Sequence, residues 1–241
     1  MERLQKVIAS MGYTSRRKAE QLILEKRVKV DGVVVDELGY KVNDKQKITI
    51  DDVLLEKEQK VYYLLNKPRG VISTTTDDKN RKTVTDLINT TKRIYPVGRL
   101  DYDTTGIIIL TNDGELSNMI MHPKNKIEKE YIAKIKGQLK IADLMTLKNG
   151  VVIDGFKTSK SKVKIKKYDK KTDTSIIEII IHEGKNHQVK KMFEALNYEV
   201  LKLKRERIAY LTLNGIENSG DYRELNPKEV KQLYNFINNK R

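Results

Sequence analysis

Tyr95-Pro96-Val97-Gly98-Arg99-Leu100-Asp101-Tyr102-Asp103-Thr104-Thr105-Gly106-Ile107-Ile108-Ile109-Leu110 joins a short polar loop directly to an apolar run. Four consecutive aliphatic residues bounded by polar ones read as a buried strand. The loop before it carries Arg99, two aspartates and two threonines. Carboxylates at such a junction are held by the sheet while facing a cleft, the usual place for reactive groups. On the residues alone, Asp101 and Asp103 better suit a turn in which they accept hydrogen bonds from loop N–H groups, and the spacing leaves both readings open.

Working outward, strand-like runs recur at 61–65, from Val71 onward, at 106–111, 131–135, 162–166 and 175–181. A loop, Asn66-Lys67-Pro68-Arg69-Gly70, follows the first of them. Val189, Met192, Phe193 and Leu196 share one helix face from about Asn186. Asn226-Pro227 caps another helix with Val230, Leu233 and Ile237 inside. Residues 61–241 are therefore expected to form an α+β domain with a mixed, largely antiparallel sheet. The lysines, dense from Lys124 to Lys171, read as exposed strands and loops.

Residues 1–58 read as a separate unit, with 59–60 ending a polar linker. Leu4, Val7, Ile8 and Met11 make one helix face, and Gly12 stops it. Thr14 or Ser15 caps a second helix with Ala19, Leu22 and Ile23 inside. Asp31-Gly32, between apolar runs, predicts a hairpin, and a strand at 47–50 closes the unit. Arg16, Arg17 and Lys18 cluster where the second helix begins. Lys26, Arg27 and Lys29 cluster where it meets the hairpin. Cations beside a helix N-terminus suit phosphate, and a solvated charged face accounts for them equally well.

The 241 residues include 48 Lys and Arg against 33 Asp and Glu, a net charge of +15. That surplus points to a polyanion, nucleic acid first and an anionic membrane second. With no Cys there is no disulfide, thiolate nucleophile or thiolate-bound metal, and three His make a His-rich metal site an unfavoured reading. No apolar run reaches the ~18 residues of a membrane span, and no secretory leader opens the chain. The expectation is a cytoplasmic monomer. There is no phosphate loop, dinucleotide glycine fingerprint, nucleophile elbow or methyltransferase-type Gly-rich loop, which favours cofactor-free chemistry without a metal.

Within and beyond the quoted stretch, Gly98 to Gly114 resembles the second motif of the bacterial ribosomal RNA pseudouridine synthases of the A type (small subunit) and B type (large subunit), and the large-subunit type most. Asn66-Lys67-Pro68-Arg69-Gly70 is similar to their first motif, and Glu128-Lys129-Glu130-Tyr131 to their tyrosine motif. Glu183-Gly184-Lys185-Asn186-His187-Gln188-Val189-Lys190-Lys191-Met192 is similar to the third. Residues 1–50 resemble the α-L RNA-binding domain first seen in small-subunit ribosomal protein four. The resemblance spans essentially the whole chain. It implies isomerisation of uridine to pseudouridine in ribosomal RNA, most like the large-subunit enzymes, with no cofactor. Ribosomal RNA, or an assembly intermediate of a ribosomal subunit, is the implied partner. A non-catalytic RNA-binding ribosome-assembly factor on the same scaffold, or a small-subunit enzyme, is the alternative.

On this resemblance Asp101 is the catalytic carboxylate, and Tyr131 stacks on the target uracil or helps move its carbon 5 proton. A carboxylate taken out of water favours its neutral form, so a buried Asp catalyst calls for a buried cation. Lys190, on the border of the apolar face of its helix, is the candidate, with Lys185 in reserve. Lys191 points toward solvent. The family more often carries Arg at 190 and 191. Arg99 is assigned to the target's phosphate or to the gap that the turned-out nucleotide leaves. Arg16, Arg17, Lys18, Lys26, Arg27, Lys67 and Arg69 are the other expected RNA contacts. His187 is read as positioning a loop, and Gly70, Gly106 and Gly184 as serving backbone geometry.

Overall fold

In the computed structural model, which describes residues 1–239, the apolar run 107–110 lies inside the strand Thr105–Thr111 of a nine-stranded sheet. The main path runs Lys162–Asp169, Thr174–Ile181, Lys129–Lys136, Val200–Ile208, Thr105–Thr111, Tyr62–Lys67, Tyr222–Glu224. Ile107, Ile108, Ile109 and Leu110 are all fully buried, which is why this strand reads as a continuous apolar run rather than an alternating one. Its pairing with Val200–Ile208 is parallel, and the registered pairs flanking Lys129–Lys136 are antiparallel, so the sheet is mixed.

Gly106 stands opposite Arg205 in the parallel pair. Its φ is 102°, and a Cβ there would overlap the backbone of Arg205. Only glycine suits this crossing. Lys129–Lys136 alternates buried and less buried residues, placing Lys129, Tyr131, Ala133 and Ile135 on one face.

The helices of this region are α3 (Gly114–Met121), α4 (Ile141–Asn149), α5 (Gln188–Glu194) and α6 (Pro227–Asn238). Asn226 caps α6 in a reciprocal pair with Glu229, and Leu233 and Ile237 are buried on its inner side. The α5 helix begins two residues later than expected, because His187 takes a left-handed backbone (φ 52°) and turns the chain into it.

The strand expected from Val71 is reduced to one isolated bridge, Ile72 to Thr83. Local side-chain bonds compete with a ladder there. Ser73 Oγ donates to the Leu100 carbonyl, Thr74 Oγ1 to that of Thr76, and Asp77 accepts from the N–H groups of Lys79 and Arg81. Conversely, Val200–Ile208 is a long central strand that the sequence reading passed over. Its alternating Lys and Arg hid the pattern.

The N-terminal region holds α1 (Leu4–Ser10) and α2 (Arg16–Leu24) against a small antiparallel sheet of Val28–Val30, Val33–Val34, Ile48–Ile50 and Val53–Leu54. Ser15 caps α2 by accepting from the Lys18 N–H at 3.2 Å. Asp31 and Gly32 both have positive φ, as a two-residue hairpin requires. Leu4, Ile8, Ala19, Leu22, Ile23, Val28, Val30, Ile48 and Ile50 form its core. The chain divides into two compact units. The first contains residues 1–61, and two short later segments, 90–94 and 111–114, cluster with it; the expected division near 58–61 did not foresee them.

Candidate active site

The loop before the Thr105–Thr111 strand is held by the segment that follows Tyr62–Lys67. Lys67 is fully buried, with 0% of its surface exposed. Its ammonium donates to the carbonyls of Pro68 (3.0 Å), Asp101 (3.0 Å) and Thr104 (2.9 Å). Ser73 Oγ donates to the Leu100 carbonyl and accepts from its N–H, and the Gly70 N–H donates to the Tyr102 carbonyl at 2.8 Å. The backbone at 100, 101, 102 and 104 is thus fixed from one side. Burial pushes the Lys67 ammonium down to about 8, with Asp101 and Asp103 opposing. Lys67 therefore does not contact RNA, contrary to expectation. Three ammonium hydrogens meet three carbonyls, and no face is left for a phosphate.

With its backbone fixed, Asp101 presents its carboxylate to a cavity of about 200 Å³. Its side chain is 26% exposed. Lys190 Nζ lies 3.1 Å from Asp101 Oδ2 and 2.5 Å from Asp103 Oδ1. His187 Nε2 lies 3.4 Å from Asp101 Oδ1, and the Thr104 hydroxyl donates to Oδ2 at 3.4 Å. Burial works against the charge on Lys190, but hydrogen bonds to Asp103 and Asp101 outweigh it and hold its pKa above the ordinary lysine value. The hydrogen bond from Lys190 in turn pulls the Asp103 carboxyl below its usual range. The arrangement is one cation clamped by two carboxylates, which holds negative charge at the cavity wall.

Tyr131, from the Lys129–Lys136 strand, lines the cavity and is nearly buried. Arg205 stands directly opposite it on Val200–Ile208. The Arg205 Nε donates to the Ile107 carbonyl at 2.8 Å and Nη1 to the Tyr131 hydroxyl at 3.4 Å. Arg99 is exposed and lines the same cavity, as do Lys129, Lys185, Asn186 and Leu203. The described residues contain no cluster of three or more metal-ligating His, Cys, Asp or Glu side chains. What the site offers chemically is a positioned carboxylate, a cation, a phenol and a hollow beside them.

Residues 61–195 match the family described as RNA pseudouridylate synthase, and residues 2–48 match the S4 domain. The chain belongs to the RNA pseudouridylate synthase family. It is 55% identical over 234 residues to a ribosomal large subunit pseudouridine synthase B of Bacillus subtilis (strain 168), covering 97% of this chain and 96% of that one. An uncharacterized RNA pseudouridine synthase of Aquifex aeolicus (strain VF5) is 41% identical over 98% of this chain and 94% of its own length. A crystal structure of a pseudouridylate synthase, 29% identical, superposes with a TM-score of 0.69 over 97% of this chain and 100% of that one.

Within this synthase the residues picked from the sequence are differently placed. Asp101, Tyr131 and Arg99 share the cavity, and Lys190 reaches it through Asp101. Arg69 is exposed in the segment cradling the loop. Lys191 meets Asp154 at 2.5 Å rather than open solvent. His187, assigned to loop positioning, instead approaches Asp101. Gly184 needs no unusual backbone, and a Cβ there would only touch Lys129 Nζ, at 3.9 Å. In the N-terminal region Arg16, Arg17 and Lys18 are exposed on the first turn of α2. Lys26 pairs with Asp36, and Arg27 is engaged by Asp51 and Glu25.

Sequence reasoning missed Lys129 and Arg205. The expectation that the lysines of 124–171 are exposed fails at Lys129, which is 5% exposed. Period-two spacing would have found both: Lys129 stands two before Tyr131, and Arg205 two after the buried Leu203.

Proposed function

We propose that this synthase isomerises a uridine of large-subunit ribosomal RNA to pseudouridine, with Asp101 as the catalytic carboxylate. The observation that carries this reading is the Asp101 side chain at the cavity, fixed by its own backbone and held 3.1 Å from Lys190. The Bacillus subtilis relative at 55% identity supports large-subunit RNA as the target.

A paired base hides its glycosidic bond, so the target nucleotide turns out of its stack into the cavity. That unstacking favours loops and distorted helices. Tyr131 offers a ring face to the uracil, and exposed Arg99 and Arg69 meet its phosphates. Asp101, ionised beside Lys190, attacks the ring or the sugar, or removes a sugar proton. The bond from the ribose carbon to ring nitrogen 1 breaks, the ring turns, and the ribose carbon bonds to carbon 5. Carbon 5 loses its proton and nitrogen 1 gains one. Atoms and electrons balance, so the reaction calls for no redox cofactor, energy source or metal.

The N-terminal region supplies affinity, with the exposed cations of α2 on the phosphate backbone. In this reading the protein acts as a cytoplasmic monomer on ribosomal RNA or a ribosome-assembly intermediate. Large-subunit RNA transcribed with uridine tritiated at carbon 5 tests it. The wild-type protein should release tritium to water and Asp101→Asn should release none. Release by both variants alike would remove Asp101 from the chemistry.

A further inference from the structure

Two cations of the cavity have no role in the chemistry described so far. Lys129 is 5% exposed, lines the cavity, and its ammonium has no hydrogen bond or ion pair among the described residues. Arg205 is 3% exposed; it spends Nε on the Ile107 carbonyl and Nη1 on the Tyr131 hydroxyl, and its Nη2 has no acceptor. They stand on adjacent strands. Arg205 is directly across the ladder from Tyr131, and Lys129 is two residues before Tyr131 on the same buried face.

The nearby acid, Glu183, does not neutralise them by contact. Its carboxylate accepts from the Ser159 N–H (2.9 Å), the Ser159 hydroxyl (3.1 Å) and the Gln188 side-chain amide (2.6 Å). Taking a cation out of water is strongly unfavourable unless negative charge or acceptors replace the water. A cavity that keeps two cationic donors unfilled beside an aromatic face is complementary to negative charge that arrives with the ligand.

We propose that Lys129 and Arg205 form an oxyanion subsite that receives a carbonyl oxygen of the uracil ring and stabilises the charge it gains during the isomerisation. This rests on the isomerase reading of the site. When the bond to nitrogen 1 breaks, its electron pair stays with the ring and spreads onto the two carbonyl oxygens. If Asp101 first adds to the ring, the displaced electrons reach the carbonyl oxygen conjugated with carbon 5. Either way negative charge collects on the carbonyls; it drains away when carbon 5 bonds to the ribose, returns as carbon 5 gives up its proton, and is discharged when nitrogen 1 gains one. Preorganised donors aimed at developing charge stabilise the transition state more than the bound substrate. Phosphate is the less fitting occupant, because it stays on the strand and meets the exposed Arg99, whereas Lys129 and Arg205 are buried. Burial, reinforced by Arg205 and opposed by Glu183, lowers the Lys129 ammonium to about 8, which leaves it protonated near neutral pH and a stronger donor than an ordinary lysine.

The test compares wild type, Lys129→Met and Lys129→Arg on tritiated large-subunit RNA transcript. Three quantities are measured: the single-turnover rate at saturating protein, the Kd for the transcript, and the melting temperature. The expected result for Lys129→Met is a rate lower by about 10²-fold, the typical effect of losing one oxyanion donor. Its Kd should be unchanged and its melting temperature no lower, since an unpaired buried charge has been removed; Lys129→Arg should recover much of the rate. A wild-type rate in Lys129→Met overturns the proposal. So does a weaker Kd with an unchanged rate, which would mark a phosphate contact. So does a rate loss that tracks a lower melting temperature without rescue by Arg, which would mark a structural role. Wild-type protein that releases no tritium overturns the isomerase reading and this inference with it.

Discussion

Lys67 anchors the loop that carries Asp101, and its chemistry is testable through pH. Its pKa is about 8 in the folded protein against 10.5 when free. Below pH 8 both states hold the proton, and the folded state bears the cost of a buried ammonium. Between pH 8 and 10.5 the unfolded chain keeps a proton that the folded chain has released, so stability should rise with pH across that window. Lys67→Met should reduce the rise in urea midpoint between about pH 8 and 10.5, leaving the part that Lys129, also lowered to about 8, contributes; an unchanged slope would remove Lys67 as a source. The variant should also lose on the order of 3 kcal/mol near neutral pH, because three carbonyls lose their donor. Asp101, Tyr131 and Lys190 were singled out because their motifs stand in order along the chain, and the structure places Asp101 and Tyr131 at one cavity with Lys190 beside Asp101. Lys67 was misread for a physical reason: in a one-dimensional string a lysine serving three carbonyls looks the same as a lysine reaching for phosphate.

At the level of elements, the site depends on two strands crossing closely at Gly106 and Arg205. A side chain at 106 meets the Arg205 backbone and adopts a backbone angle that L-residues disfavour. Gly106→Ala should therefore lower the melting temperature and the tritium-release rate together, by displacing Arg205 and the loop before residue 105. A melting temperature equal to wild type would contradict this packing argument. The strand at 107–110 and helices α1, α2 and α6 were legible because periodicity and caps agreed. Val200–Ile208 was not, because its Lys and Arg, the buried Arg205 among them, break up its apolar pattern, and the run after Val71 was overread because threonines favour strands yet here bond locally.

Across the whole molecule, a net charge of +15 makes RNA binding strongly dependent on salt. Replacing Arg16, Arg17 and Lys18 together by Gln should reduce the slope of log Kd against log salt by about 2 if these cations meet phosphates, since each contact contributes about 0.7–0.9. The single-turnover rate at saturation should not change; an unaltered slope would return the cluster to a solvated face. The two-unit organisation was legible from composition, while the clustering of 90–94 and 111–114 with the first unit was not, since it joins segments distant in sequence. The central claim is that the Asp101 carboxylate makes pseudouridine, and pseudouridine mapping of large-subunit ribosomal RNA from cells lacking this gene tests it most directly. Complementation with wild type should restore a pseudouridine that complementation with Asp101→Asn leaves absent, with both proteins present at equal levels. Identical maps from the two strains would contradict the account.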